Sequence, residues 1–259
     1  MGLFGKSRAD KEREARQAAF ADQALALRLS WVGQDDTLRD TLGASSLMQP
    51  PPARLGNVME GLRGTRLVTV FDQEWAPARR DPAFNPGHGI DDSEGTCALT
   101  LVSIKTVSGA CPARPPFVLV PNLAAQLRGQ FTGRLQGEGG LGELLAAGAQ
   151  WLMAQYAGSG IGFPERPHFD EVYLLRGNDP RTLRGFFTPA RLDHFLQRPG
   201  WIVESLEDRL LVSVTLDSWP PTRRPLTEKR SGADMPLPPE HLPALIEGAL
   251  AIADCLERA

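Results

Sequence analysis

Nowhere in the 259 residues does an apolar run approach the roughly 20 residues that a membrane-spanning helix requires. The N-terminus, "MGLFGKSRADKEREARQ", has the basic residues that begin a signal peptide but continues into charge rather than an apolar run, so secretion is not expected. An excess of positive charge is missing too. Lys and Arg number 28 against 31 Asp and Glu, a formal net charge of -3, which excludes a general attraction to phosphate backbones and makes nucleic acid an unexpected partner. Cysteine is scarce and odd in number: Cys97, Cys111 and Cys255 cannot form a disulfide framework and point to a reducing compartment with free, partly buried thiols.

Local catalytic and cofactor motifs are also lacking. No Ser lies in a G-x-S-x-G frame, and "AGSGIG" at Ala157 to Gly162 has no preceding strand. His88, His168, His194 and His241 form no H-x-x-x-H pair, and no C-x-x-C is present, so a zinc site has no support. Gly137, Gly139 and Gly142 do fall at G-x-G-x-x-G spacing. However, a dinucleotide site needs a buried parallel strand directly before the first glycine, and "RGQFTGRLQ" supplies glycines and charges instead. "GKS" at Gly5 to Ser7 lacks the earlier glycine of a P-loop, and Lys6 stands where a myristoylation signal has Ser or Thr. No cofactor is expected.

What is present is an ordinary globular composition, 42% hydrophobic and 23% charged, with enough chain to bury a sizeable core. Residues 8 to 30 are expected to form a helix with Phe20, Ala24 and Leu27 on one face, widened by Leu25 and Leu29. "QPPPARLG", Gln49 to Gly56, has the composition of a connector. "NVMEGLRGTRLVTVFDQEW" predicts two strands joined at Arg63-Gly64, "TCALTLVSIKTV" another, and "PPFVLVP" a short one at Phe117 to Val120. A short helix capped by Asn122 and a longer one from about Leu141 to Tyr156 follow, the latter opened by the glycine-rich stretch.

Further on, "FDEVYLLRG" predicts a strand; Asn178 or Asp179 with Pro180, and Thr188 with Pro189, predict two helix starts. "WIVESLEDRLLVSVTL" predicts two strands about a Glu207-Asp208 turn, and a proline-crowded loop precedes a last helix. That helix carries an apolar stripe of Leu242, Leu245, Ile246, Ala249, Leu250, Ala253 and Leu256. The sum is an α+β fold: a mainly antiparallel sheet with an N-terminal helix, a central helical and Gly-rich segment and a C-terminal amphipathic helix. Residues 1-30 form the N-terminal helix, which the pattern leaves free to be detached. Residues 31-259 form a single domain, open to division into sub-halves 57-156 and 165-259.

The most suggestive cluster is "HGIDDSEGTC", where His88, Asp91, Asp92, Glu94 and Cys97 share one loop. Its acids could gather a divalent cation, but the spacing does not fit a calcium loop, and a solvated hairpin loop is the ordinary account. His194 sits beside Phe195 on a helix, where a packed or surface histidine is the usual outcome. Cys111 has only Arg114 nearby to lower its pKa, so a structural thiol is expected. Arg223, Arg224, Lys229 and Arg230 concentrate charge in the proline-rich loop, which could dock an acidic partner.

Six blocks in order, "SWVGQDDTL", "GNVMEGLRGTRLVTVFDQEW", "PPFVLVPNLAAQL", the stretch from His168 to Ser205, "RLLVSV" and "LPPEHLPALIEGALAIADCL", resemble the successive blocks of a group of uncharacterised bacterial proteins. Many of that group carry hydrophobic N-terminal spans and are called hypothetical membrane proteins. The resemblance covers most of the chain from Ser30 onward and is most specific from Phe169 to Trp201. It implies no activity, cofactor or catalytic residue, and this chain departs from many relatives in lacking the span.

With no nucleophile, base and orienting group brought together locally, the leading expectation is a soluble, cytoplasmic, non-catalytic interaction or scaffold protein with a protein partner. One alternative is an enzyme whose site is assembled from distant residues, metal-assisted around His88, Asp91, Asp92 and Glu94. Another is peripheral membrane attachment through residues 1-29, where Leu3 and Phe4 stand beside Lys6, Arg8 and Lys11 but Asp10, Glu12 and Glu14 weaken the attraction.

Overall fold

The computed structural model describes residues 8–43, 45–48, 54–75, 97–107, 114–122, 160–214 and 237–258. The expected helix at Leu141 to Tyr156, the Gly137 to Gly142 stretch and the segment after Asn122 lie outside them. In chain order the elements are α1 (Arg8–Ala26), β1 (Ser30–Gln34), α2 (Thr37–Leu42), a 3-10 turn (Ser46–Met48), β2 (Arg54–Arg63), β3 (Arg66–Trp75), β4 (Cys97–Thr106) and β5 (Phe117–Pro121). Then come α3 (Pro167–Val172), β6 (Tyr173–Arg176), α4 (Pro180–Phe186), α5 (Pro189–Leu196), β7 (Trp201–Ser205), β8 (Arg209–Val214), a second 3-10 turn (Pro239–His241) and α6 (Leu242–Glu257).

All eight strands join one antiparallel sheet in the order β1-β2-β3-β4-β8-β7-β5-β6. This is the α+β architecture. β2 and β3 form the expected hairpin, with Gly64 at φ 62 in its turn, a conformation that a side chain resists. The two segments treated as possible halves share this sheet, because β4 pairs with β8 and β5 sits between β6 and β7.

Strand alternation gives the sheet two apolar faces. One carries Met59, Val68, Val70, Val102, Ile104, Leu119, Leu175, Trp201, Val203, Leu210 and Val212, and packs against α1 and the C-terminal helices. The other carries Val58, Phe71, Leu101, Val120, Ile202 and Leu211, and meets Leu38 and Leu42 of α2 and Leu47 and Met48 of the first 3-10 turn. α6 lies over β4 and β8. It buries Leu242, Leu245, Ile246, Ala249, Ala253 and Leu256 of the expected stripe together with Ile252, while Leu250 stays half-buried.

Four expectations need correction. The N-terminal helix ends at Ala26, and Ser30–Gln34 is an edge strand. Leu25 points outward at 81% exposure, because Phe20, Ala24 and Leu29 already define the docked face. The connector is shorter than supposed, since Arg54 to Gly56 already pair with β3. "FDEVYLLRG" is half helix: Phe169 and Tyr173, four residues apart, stack with ring centroids at 5.5 Å, and only Tyr173–Arg176 is strand.

Candidate functional site

His88, Asp91, Asp92 and Glu94 lie outside the described residues, as do Cys111, Arg223, Arg224, Lys229, Arg230 and the N-terminal seven residues. Cys97 is placed as the first residue of β4. His168 is exposed on α3, its Nδ1 3.0 Å from Glu171 Oε2. His241 closes the second 3-10 turn. His194 lies in the last turn of α5, edge-on to Phe195, and its Nε2 is buried without a partner. Burial first, then the charges of Arg198 and Arg258, hold its pKa below the ordinary value. Burial likewise raises the Cys255 thiol, with Arg191 and Arg258 opposing, so at neutral pH it is protonated rather than nucleophilic. Of these, His168 alone has a carboxylate beside it among the described residues, and that pair is a solvent-exposed i, i+3 contact on one helix. No group of three or more His, Cys, Asp or Glu able to hold a metal ion occurs among the described residues.

What the fold does bring together are three polar clusters that no local spacing announces. The first centres on Asp72 of β3, whose side chain is 1% exposed. Arg16 of α1 donates from Nε to Asp72 Oδ2 at 2.7 Å and from Nη2 to Oδ1 at 3.0 Å. Thr100 Oγ1 of β4 donates to Oδ1 at 2.6 Å, and Asn57 Nδ2 donates to Oδ2 at 2.8 Å. Arg16 also donates from Nη1 to the Leu237 carbonyl at 2.9 Å. Asn57 reaches Asp72 from a bulge in β2, between Gly56 and Met59, where its φ is 53. Asn tolerates that left-handed conformation better than most residues.

The second cluster surrounds Glu204 of β7, also buried. Ser46 donates to its Oε1 from both backbone N and Oγ at 2.7 Å; Leu47 N donates to Oε2 at 3.2 Å, and the Ser45 hydroxyl makes a separate bond to the same oxygen. The carboxylate thereby caps the first 3-10 turn and ties it to the sheet. The third cluster sits at the C-terminal end of α6. Arg66 bridges to Asp254 at 2.6 Å and to Glu257 at 2.5 Å, and the buried Arg114 reaches the other oxygen of Glu257 at 2.7 Å. Beside it, Arg191 of α5 donates to the carbonyls of Cys255, Leu256 and Arg258, covering the last orphan acceptors of α6.

Each cluster can be judged by its free lone pairs. An ionised carboxylate offers about four acceptor sites. Asp72 and Glu204 each receive four hydrogen bonds, so neither has a lone pair left to take a proton from a substrate or to ligate a cation. Their chemistry is spent on joining elements.

No protein-family model and no curated protein sequence matches the chain. A solved structure does: the crystal structure of the mycobacterial trehalose monomycolate transport factor A, TtfA, superposes with a TM-score of 0.50 at 9% sequence identity, covering 93% of this chain and 93% of that one. The likeness is one of fold. It spans nearly the whole length of both chains, so the α+β arrangement is matched as a whole and not through one hairpin or helix pair. Among the described residues no helix is long and apolar enough to cross a membrane.

Proposed function

We propose that the chain is a non-catalytic interaction or scaffold protein that works in the cytoplasm against a protein partner. The observation that carries this reading is the saturation of Asp72 and Glu204: the two buried carboxylates among the described residues hold helices and turns to the sheet and have no capacity left for a reacting atom. The block resemblance to the group of uncharacterised bacterial proteins belongs to the same proposal and adds no reaction to it. From the transport factor that shares the fold the proposal takes neither cargo nor partner. Membrane attachment through residues 1-29 has less support, because Asp10, Glu12 and Glu14 are interleaved with its basic residues and weaken attraction to an anionic surface.

The test is complementation in the native host, combined with cross-linking. The variant H88A/D91N/D92N/E94Q should restore the function of a deletion strain, and the wild-type chain should cross-link to one discrete protein at a fixed ratio. Loss of complementation on changing a single one of those four residues, at unchanged thermal stability and unchanged cross-linking, would count against this reading and favour the metal-assisted enzyme.

A further inference from the structure

Only two non-glycine residues among those described adopt positive φ, and both flank the seat of α1. Arg28, at φ 52, occupies the left-handed position just past the helix. Its N donates to Leu25 O and Leu29 N donates to Ala24 O, the paired bonds with which a chain reverses out of a helix, normally around glycine. Asn57, at φ 53, belongs to the cluster that receives Arg16. Backbone in this region persists only where surrounding contacts enforce it: at Arg28 the last turn of α1, at Asn57 the bond to Asp72.

The hold of α1 on the body is narrow. Phe20, Ala24 and Leu29 enter the core with Leu27 packed against it, over β1, β2 and the turn before α6, while most of the charged first half of the helix faces water. Polar ties add to this: Arg63 of β2 donates to the Leu27 carbonyl, and Arg16, stacked at 4.7 Å on Phe20, is bonded to Asp72, Thr100 and the Leu237 carbonyl. A largely buried ion pair of this kind fixes orientation more than it adds net stability, since desolvation offsets much of the attraction. Removing Arg16 with its helix would not orphan Asp72, because Asn57 and Thr100 still donate to it and water follows the departing chain. The β1–β2 and β2–β3 ladders need nothing from α1 to stay paired.

We propose that α1 is a releasable strap: residues 8–29 leave the sheet as one cooperative unit while the rest of the fold stays closed. Release relaxes Arg28, uncovers the parts of β1 and β2 against which α1 packs, and frees the Leu237 carbonyl at the start of the turn that leads into α6. The N-terminal helix and the start of the C-terminal one are thereby coupled through a single guanidinium.

Native-state hydrogen exchange on the full chain tests this. In the wild type the amides of residues 20–26, which fraying of the helix start does not reach, should exchange at least about tenfold faster than those of Val68 to Phe71 and Leu101 to Ile104. R16Q should raise exchange in residues 20–26 by about tenfold more, and R28G, which removes the strain of the docked state and does not depend on R16Q folding, should slow the same amides. Gly248→Ala, which weakens the body at Trp201 and not the seat of α1, should speed exchange in β3 and β4 and leave residues 20–26 unchanged. A common rate for α1 and the strands in the wild type, or a Gly248→Ala shift that residues 20–26 share, overturns the strap.

Discussion

Gly248 shows how closely α6 lies on the sheet. A Cβ there would stand 2.3 and 2.5 Å from two atoms of the Trp201 indole, which is fully buried. Replacing a helical glycine by alanine ordinarily gains about 1 kcal/mol in helix propensity, whereas forcing a group into a packed core costs about 1–3 kcal/mol. The indole is rigid and walled in, so the clash should win, and Gly248→Ala should lower the urea midpoint at unchanged slope; a raised midpoint would show that α6 can slide. His194 offers a pH-dependent counterpart. Its folded pKa is depressed, by burial first and by Arg198 and Arg258 next, so the folded state binds this proton less readily than the unfolded chain does. The associated stability is present above the ordinary histidine pKa of about 6.5 and is lost as pH falls from there through the folded value. Unfolding free energies at pH 7.5 and 5.5 should therefore differ less in His194→Gln than in the wild type, and an equal difference would remove His194 as the cause.

At the scale of elements, what could be read from the sequence was what is local. β2, β3, β7 and β8 carry β-branched residues in hairpins closed by short turns, and the apolar stripe of α6 repeats at helical spacing. β1 was invisible because "SWVGQ" is five residues long and pairs only with β2, more than twenty residues away. α3 was masked by the strand-forming run that follows it, although the i, i+4 spacing of Phe169 and Tyr173 held the helical signal. The three polar clusters had no local signature at all: Arg16, Asp72, Thr100 and Leu237 meet across four separate segments. Where caps were legible, the structure ranks them. Asp179 accepts from Arg181 N and Thr182 N and has its carboxyl held below the usual range by the Thr182 bonds, while Thr188 makes no side-chain cap bond. Asp179→Ala should lower the melting temperature more than Thr188→Ala, and the reverse order would mean that the Pro180 start alone holds α4.

For the whole molecule, the order of strands decides how it should unfold. A chain divided at the middle into two domains would keep each set of strands to itself, yet β4 of the first segment pairs with β8 of the second, and β5 pairs on both sides with later strands. The larger core joins Phe20 of α1 to Leu256 of α6 through residues of seven strands. Neither segment can bury its apolar face without the other, and cooperative unfolding follows from shared burial more than from length. Urea denaturation followed by indole fluorescence and by far-ultraviolet circular dichroism should give coincident single transitions. Opening of α1 would not disturb that result, because a strap that leaves and returns under native conditions is seen by hydrogen exchange at levels too low to bend an equilibrium curve. Two separated transitions would mean that the β4–β8 seam parts first, and would make the segments on either side of it the true cooperative units.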